Sequence, residues 1–333
     1  MDTPQPHQVT RLAPSPTGAL HLGNARTFLI NWAMAKQNGW RIVFRIEDLD
    51  GPRIDPAASL KAIDTLAWLG MDWEGEPLYQ SHDLAPYRDL LAMLYRHGAI
   101  YPCTCTRKEI VSAQSAPHKD EHELRYPGTC RPAVTPDITS PGSDNEIHEN
   151  ALLQDSATAW RLTVPDEQIE YRDVVHGPQS FNIQQQVGDF VVATKQGLPA
   201  YQLAVVVDDA RQGVTQVVRG DDLLGSTCRQ LLLYRMLGLT PVPTYTHLPL
   251  VLGPDGRRLA KRHGDTRIDT YRQRGVTAVR IIGLLARWSG IEQRLTEMSA
   301  DEFARRFDLA KLGHEPVTMT QEDEAWLLDG ISD

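Results

Sequence analysis

Apolar residues recur along the first fifty positions in an order that predicts a strand, a helix and a second strand. QVTRLA predicts a short strand, and NARTFLINWAMAKQNG places Phe28, Leu29 and Trp32 at helical spacing. That helix is expected to stop at Gly39. WRIVFRIEDLD alternates and is rich in β-branched and aromatic residues, as strands are. Because this order is the unit of a doubly wound parallel sheet, we expect an α/β, Rossmann-like fold with its ligand beyond the carboxyl ends of the strands.

The later pattern continues this architecture and interrupts it once. Helices are predicted at roughly 56–70 and 84–98 and mainly beyond 270. AWRLTVP and IEYRDVVHG predict strands, AYQLAVVVDDA and VTQVVRGDDLL predict buried strands, and STCRQLLLYRMLG predicts a helix that ends at Gly238. The polar stretch 111–150 has no periodicity, so we expect a mobile loop there.

The chain is therefore expected to contain three parts. A Rossmann-like domain occupies two halves, 1–102 and 170–245, on either side of an insertion over 103–169. The remaining residues, 246–333, hold a cationic loop and a small, mainly helical segment.

Composition and charge narrow the class of protein. Apolar residues make up 41% and charged residues 23%, which is ordinary for a globular protein. No apolar run approaches the ~18 residues of a membrane span. MDTPQPHQVT lacks the features of a secretory signal, so we expect a cytoplasmic protein. The net charge of −9 argues against bulk nucleic-acid binding, yet 257–287 carries nine Lys or Arg against two acids and forms a basic stripe.

The turn after the first strand, APSPTGALHLGN, has the chemistry of a phosphate site. Pro14 and Pro16 make it rigid, and Gly23 allows a close backbone approach. The first turn of the following helix offers N–H groups and a positive dipole end, to which His21 adds a donor. The alternative is a proline-rich connector with an incidental histidine.

A second candidate is the cationic loop LVLGPDGRRLAKRHGDT, at 250–266. A solvated charge run is the usual interpretation of such a segment. A loop carrying Lys261 could instead close over a triphosphate and stabilise the charge that develops in nucleotidyl transfer.

Together these motifs resemble the HIGH and KMSKS signatures of class I aminoacyl-tRNA synthetases, with HLGN for the first and RLAKR for the second. RLAPSPTGALHLGNARTFLINWAMA, FRIEDLD and VVRGDDLLGSTCRQ look like segments of glutamyl-tRNA synthetases, and the resemblance covers about 9–105 and 170–290. It implies that ATP, with Mg²⁺, is attacked by glutamate to give glutamyl-adenylate. His21 and Lys261 would be catalytic, with Gly23 and Asn24 also binding ATP. The loop departs from the family at Arg258 and Ala260, which puts only the speed of activation in doubt.

Glutamate carries two carboxylates and one ammonium, so its pocket needs fixed cations and an anion. Arg11 can grip a carboxylate with two N–H groups, and Glu47 can accept from the ammonium. The resemblance implies that Tyr201 and Arg219 complete the pocket, with a hydroxyl contact from Ser15. Without the resemblance, surface or structural ion pairs would be the better interpretation.

Three cysteines fall within 28 residues and could hold one structural zinc ion: Cys103, Cys105 and Cys130. From the residues alone the fourth ligand would be His118 or His122, because imidazole is the commoner ligand, whereas the resemblance argues for Tyr126. The alternative is three reduced thiols without a metal. Cys228, within a helical pattern, is expected only to pack.

Only 72 residues follow Lys261, too few for the large anticodon-binding domain of a glutamyl-tRNA synthetase. The chain thus resembles the truncated members that attach glutamate to queuosine in the anticodon loop of tRNA(Asp). The expected partners are L-glutamate, ATP and queuosine-containing tRNA(Asp), with no membrane and a monomeric chain. The basic stripe could contact RNA phosphates. The alternatives are a truncated enzyme that charges tRNA(Glu) and an inactive tRNA-binding paralogue.

Overall fold

The structure is a computed structural model that describes residues 7–49, 54–112, 125–133, 152, 157–257, 259 and 266–329. Its first part alternates strands and helices: β1 (Val9–Leu12), α1 (Leu22–Asn38), β2 (Arg41–Ile46), α2 (Pro56–Trp68), β3 (Leu78–Tyr79) and α3 (Ala85–Arg96). β1, β2 and β3 pair in parallel in that order. Gly39 ends α1 with a left-handed φ of 65°, and Asp55 caps α2 ahead of a first-turn proline.

An antiparallel unit follows, made of β4 (Ile100–Cys103), α4 (Arg107–Ser112), β5 (Ala159–Leu162), β6 (Gln168–Asp173), β7 (Gly177–Asn182), α5 (Ile183–Gln186) and β8 (Val191–Ala193). β5 lies between β4 and β8, and β6 and β7 form a hairpin. β8, which follows the predicted insertion in the sequence, pairs with β5 inside it. Most of the predicted loop over 111–150 lies outside the described residues.

After this unit come α6 (Tyr201–Arg211), β9 (Gln216–Gly220), α7 (Leu224–Leu237) and β10 (Thr244–Leu248). The strand prediction for AYQLAVVVDDA is wrong, because that segment is α6. Every residue from Gln202 to Asp209 is buried, so no polar face marked the helical period. β9 and β10 are parallel, and the Thr215 N–H donates to the Val9 carbonyl at 2.9 Å, which places β9 beside β1.

The C-terminal segment contains β11 (Val251–Leu252), α8 (Ile268–Gln273), α9 (Ala278–Trp288), α10 (Ala300–Arg306), β12 (Val317–Thr318) and α11 (Gln321–Leu328). β11 and β12 pair in parallel. One core cluster joins Leu29 and Trp32 of α1 to Leu285 of α9 and Phe303 of α10. The segment therefore packs directly on the first half of the Rossmann-like domain. No described helix is both long and apolar enough to cross a membrane.

Candidate active site and metal centre

A cavity of about 630 Å³ opens where β1 and β9 end. It is lined by every described residue that the sequence predicted for ATP or glutamate: Arg11, Ser15, His21, Gly23, Asn24, Glu47, Tyr201 and Arg219. Parallel strands place their carboxyl ends at one edge, which explains why residues so distant in sequence meet there. Lys261, together with Arg258 and Ala260, lies outside the described residues.

The proline-rich turn is tied to the segment after β2 by backbone hydrogen bonds. The Glu47 N–H donates to the Pro14 carbonyl at 3.1 Å, and the Asp55 N–H donates to the Pro16 carbonyl at 3.1 Å. Because proline also fixes φ, the turn is held in one shape before a ligand binds. This shape brings Glu47 to the cavity beside the turn.

His21 is the N-cap of α1, which a histidine seldom is. Its Nδ1 accepts from the N–H groups of Gly23 at 3.1 Å and Asn24 at 3.3 Å, so the ring proton is on Nε2. The other two N–H groups of the first turn donate to Thr266 and to the His21 carbonyl. All four N–H groups of the first turn therefore have acceptors within the protein, two of them at His21 Nδ1. The expected cradle of free N–H groups is not present. The positive end of the helix dipole and the His21 residue both border the cavity.

The position of the His21 ring favours glycine at residue 23. A Cβ built on Gly23 would lie 3.1 Å from His21 Cε1 and 3.2 Å from Nδ1. The contact is tight, so a side chain here would push the imidazole away from the helix N-terminus.

Two arginines share one carboxylate beneath the cavity. Asp209 Oδ1 accepts from Arg11 Nε at 3.3 Å and from Arg45 Nη2 at 2.8 Å. Arg11 Nη1 also donates to the Val218 carbonyl at 3.3 Å. Among the described residues, the remaining N–H groups of Arg11 include one on each terminal nitrogen, the pair that can grip a carboxylate.

Glu47 is fixed from behind by Arg45, whose Nη2 lies 3.2 Å from Glu47 Oε1. Burial raises the pKa of the Glu47 carboxyl, and the charges of Arg45 and Arg11 offset this only in part. A buried carboxylate in this state gains from a cationic partner. An ammonium group in the cavity would be such a partner.

Arg219, on β9 next to β1, is 5% exposed and is held by side chains of α7 and β10. Its guanidinium donates to His247, Gln230 and Thr227. Tyr201, at the start of α6, is 40% exposed and also borders the cavity. The cavity is thus lined by two cations, Arg11 and Arg219, and by the carboxyl group of Glu47.

The described neighbours of the cationic loop also lie at this site. Leu259, 1% exposed, lines the cavity and donates its N–H to the Val251 carbonyl at 2.9 Å. On the other side of residues 260–265 in the sequence, the Thr266 carbonyl accepts from the Leu22 N–H at 3.2 Å. Both flanks of Lys261 in the sequence are therefore anchored next to α1 and β11.

The three predicted cysteine ligands form one cluster, with their sulfur atoms within 4.8 Å of one another. Cys105 and Cys130 sulfurs are 3.5 Å apart, and the Tyr126 hydroxyl lies 3.5 Å from Cys103 Sγ and 3.9 Å from Cys105 Sγ. Three soft donors and one oxygen around a common centre could hold a metal ion. His118 and His122 lie outside the described residues.

Arg161 of β5 supports this cluster. Its Nε donates to Cys103 Sγ at 3.3 Å, and its guanidinium lies 3.7 Å from the centre of the Tyr126 ring. Burial raises the pKa of Cys103, but the hydrogen bonds from Tyr126 and Arg161 outweigh it and lower the pKa to about 7. Cys228 is buried elsewhere, and burial raises its pKa to about 12, as expected of a packing residue.

Sequence reasoning missed the residues behind the cavity. Asp209, Arg45 and His247 touch the predicted residues but do not line the cavity themselves. The one available signal was the pair of aspartates that ends the apolar run VVVDDA. Charges within such a run are rarely buried without a partner, so they indicated buried cations nearby.

Residues 8–326 match the family model of the catalytic domain of class I tRNA synthetases (E and Q). The chain is 46% identical over 332 residues to a glutamyl-Q tRNA(Asp) synthetase from Symbiobacterium thermophilum, covering 97% of this chain and 99% of that protein. It is 43% identical to the protein of that name from Rhodopirellula baltica, covering 93% and 96%. A glutamate tRNA ligase from Elizabethkingia meningosepticum, solved with its amino acid, is similar with a TM-score of 0.76 and 27% identity, covering 96% of this chain and 68% of that one.

The parallel sheet with its ligand cavity at the strand ends agrees with these similarities and confirms the α/β prediction. The chain belongs to the class I tRNA synthetases (E and Q), by its catalytic domain.

Proposed function

We propose that this protein activates glutamate with ATP and transfers it to queuosine in the anticodon loop of tRNA(Asp). Support comes from relatives named glutamyl-Q tRNA(Asp) synthetase, whose length the chain covers almost fully. The observation that carries the proposal is the cavity in which two buried arginines and a partly buried glutamate converge. ATP and tRNA are cytoplasmic substrates, and we assign the protein to that compartment as a monomer.

In the first step, an oxygen of the glutamate α-carboxylate attacks the α-phosphorus of ATP, and the bond to the departing pyrophosphate breaks. We assign to the His21 Nε2–H the stabilisation of the crowded α-phosphate, and to Lys261 that of the pyrophosphate. Gly23 and Asn24 hold the His21 ring and border the nucleotide. Mg²⁺ accompanies ATP and balances its phosphate charge.

The same cavity would orient the glutamate. Arg11 grips one carboxylate with two N–H groups, and Arg219 contributes a second positive charge. Glu47 accepts from the ammonium, while Tyr201 and Ser15 complete the walls. In the second step, a hydroxyl of the queuosine cyclopentenediol attacks the adenylate carbonyl carbon, and AMP leaves as the ester forms.

We assign zinc to the cysteine cluster, in a structural role. Three thiolates with a phenolic oxygen, Tyr126, supply four ligands, the number that structural zinc sites use. Arg161 favours the thiolate form of Cys103 and so favours binding of a cation. The cluster joins β4 to the segment around Cys130, which lie far apart in the sequence.

The test is to incubate the purified protein with ATP and labelled glutamate beside three RNAs: tRNA(Asp) with queuosine, tRNA(Asp) without it, and tRNA(Glu). We expect label only on queuosine-containing tRNA(Asp). Label on tRNA(Glu) would instead identify a charging enzyme. No label on any RNA, with no glutamate-dependent ATP–pyrophosphate exchange, would identify an inactive paralogue.

Arg11→Lys is the matched variant for this assay, because it keeps the charge and removes the two-point grip. We expect it to raise the glutamate concentration needed for half-maximal labelling and to leave the RNA preference unchanged. An unchanged glutamate requirement would contradict the assignment of this cavity to glutamate.

A further inference from the structure

The guanidinium of Arg219 borders the cavity, but its contacts point into the protein. Nε donates to His247 Nε2 at 3.0 Å, and Nη1 donates to Gln230 Oε1 at 2.9 Å. Nη2 donates to Thr227 Oγ1 at 2.8 Å and, less closely, to the Leu223 carbonyl at 3.4 Å. A guanidinium has five N–H groups, so among the described residues these contacts leave one N–H, on Nη1, for a ligand.

The partner at Nε, His247, is fully buried, and its tautomer is set by Asp173. His247 Nδ1 lies 2.6 Å from Asp173 Oδ2, and a carboxylate only accepts, so Nδ1 carries the proton. Nε2 then presents a lone pair to Arg219. Burial lowers the pKa of His247 to about 4. The positive charge of Arg219 also lowers it, and the hydrogen bond to Asp173 raises it only in part. The ring is neutral at neutral pH.

Asp173 is itself rigid. It sits at the end of β6, is fully buried, and accepts from the N–H groups of Val175 at 3.0 Å and His176 at 2.9 Å. A chain of fixed contacts therefore runs from the β6–β7 turn through β10 to Arg219 on β9. Asp173 and His247 themselves do not line the cavity.

We propose that His247, oriented by Asp173, is a positioning residue that directs the remaining Nη1–H of Arg219 to a carboxylate of bound glutamate. The inference rests on the proposed function in so far as glutamate is the ligand. Without the acceptor at His247, the Arg219 guanidinium turns about its own stem and loses the direction of that N–H. We expect the effect to fall on the amino acid rather than on ATP, because ATP is assigned to His21, whereas the described contacts of Arg219 are with other residues.

Two substitutions distinguish the roles of the two ring nitrogens of His247, Nε2 toward Arg219 and Nδ1 toward Asp173. In His247→Gln the amide oxygen can take the place of Nε2 and accept from Arg219. In His247→Asn the shorter amide can still donate to Asp173 but does not reach Arg219. By titration calorimetry, we expect Asn to weaken glutamate binding about tenfold and Gln less than about threefold, with ATP binding changed less than about twofold in both.

Two more variants make the test independent of folding losses. The Thr227 hydroxyl accepts from Arg219 Nη2 and also lies 3.3 Å from His247 Nε2, so Thr227→Val removes both contacts in a side chain of similar shape and should also weaken glutamate binding selectively. In an Arg219→Ala background, His247→Asn should weaken glutamate binding no further. Equal losses of glutamate and ATP affinity, equal effects of Gln and Asn, or additive effects in the double variant would each overturn the proposal.

These measurements need no RNA acceptor. Wild-type protein that binds glutamate but does not label tRNA(Asp) would overturn the proposed acceptor and leave this inference standing. Wild-type protein that binds no glutamate would overturn both.

Discussion

Replacing Asp209 by Asn removes the charge that Arg11 and Arg45 share while keeping the shape of the side chain. Asp209 Oδ1 lies 3.3 Å from Arg11 Nε and 2.8 Å from Arg45 Nη2, and all three side chains are at most 6% exposed. Breaking a buried ion pair costs ~3–5 kcal/mol. Arg45 keeps Glu47 and Gln212 as partners, so we expect the lower end, a loss of about 3 kcal/mol in the free energy of unfolding.

The same change should weaken glutamate binding, because Arg11 Nε then donates to a neutral amide oxygen, and this weaker contact holds its terminal nitrogens at the cavity less firmly. We expect the dissociation constant of glutamate, measured by calorimetry, to rise about tenfold. The free energy of unfolding is measured separately, by urea unfolding followed by circular dichroism. Asp208→Asn is the matched control: Asp208 is equally buried, but its partners are Tyr87, Gln80 and Arg211. It should lower stability and leave glutamate affinity unchanged. Similar losses of affinity in both variants would refute the reasoning.

Three further predictions concern other parts of the chain. Because burial raises the pKa of Glu47, its protonation begins at higher pH than in an exposed glutamate, and the protonated form no longer offers the charge that an ammonium needs. Glutamate affinity should therefore fall as pH decreases, and Glu47→Gln should bind weakly with a flatter profile; a wild-type profile in that variant would contradict the role. Cys103→Ser should lose metal, measured by inductively coupled plasma mass spectrometry, whereas Cys228→Ser should retain it. Gly188→Ala should lower metal content, because its Cβ would lie 2.4 Å from the Tyr126 carbonyl oxygen; Gly177→Ala has a similar positive φ but an open site, and should retain metal.

The local elements of the fold follow closely from the sequence where caps and stops are present. α1 ends at Gly39 and α7 at Gly238, both in the left-handed conformation that favours glycine. α6 was mistaken for a strand because it is surrounded by protein. Its three consecutive valines have strand propensity, and no exposed face reveals a period of 3.6 residues. Only the packing of α3, α7 and β8 around it decides the outcome.

In the candidate site, too, residues within local sequence motifs could be predicted, whereas their contacts with residues far away in the sequence could not. The residues that line the cavity stand in motifs, and the resemblance identified them one by one. The residues that hold them stand elsewhere in the chain: Asp209 is 198 positions from Arg11, and His247 is 28 positions from Arg219. Such contacts depend on which strands are neighbours, and a single sequence carries no direct record of strand order.

In the part of the chain that the structure describes, the charged side chains around Arg11 and Arg219 do not all have an oppositely charged partner in direct contact. Arg11 and Arg45 share Asp209, and Arg45 also holds Glu47, so two cations there meet two carboxylates. Arg219 meets only neutral partners among the described residues, because Asp173 lies behind a neutral imidazole and does not touch it. One positive charge is therefore not paired in direct contact, at the wall where a second carboxylate would bind. Under the proposed function, the Arg219 cation would favour glutamate, which carries one net negative charge at neutral pH, over glutamine, which carries none. The carboxylate of Asp222 also lines the cavity and acts in the opposite direction.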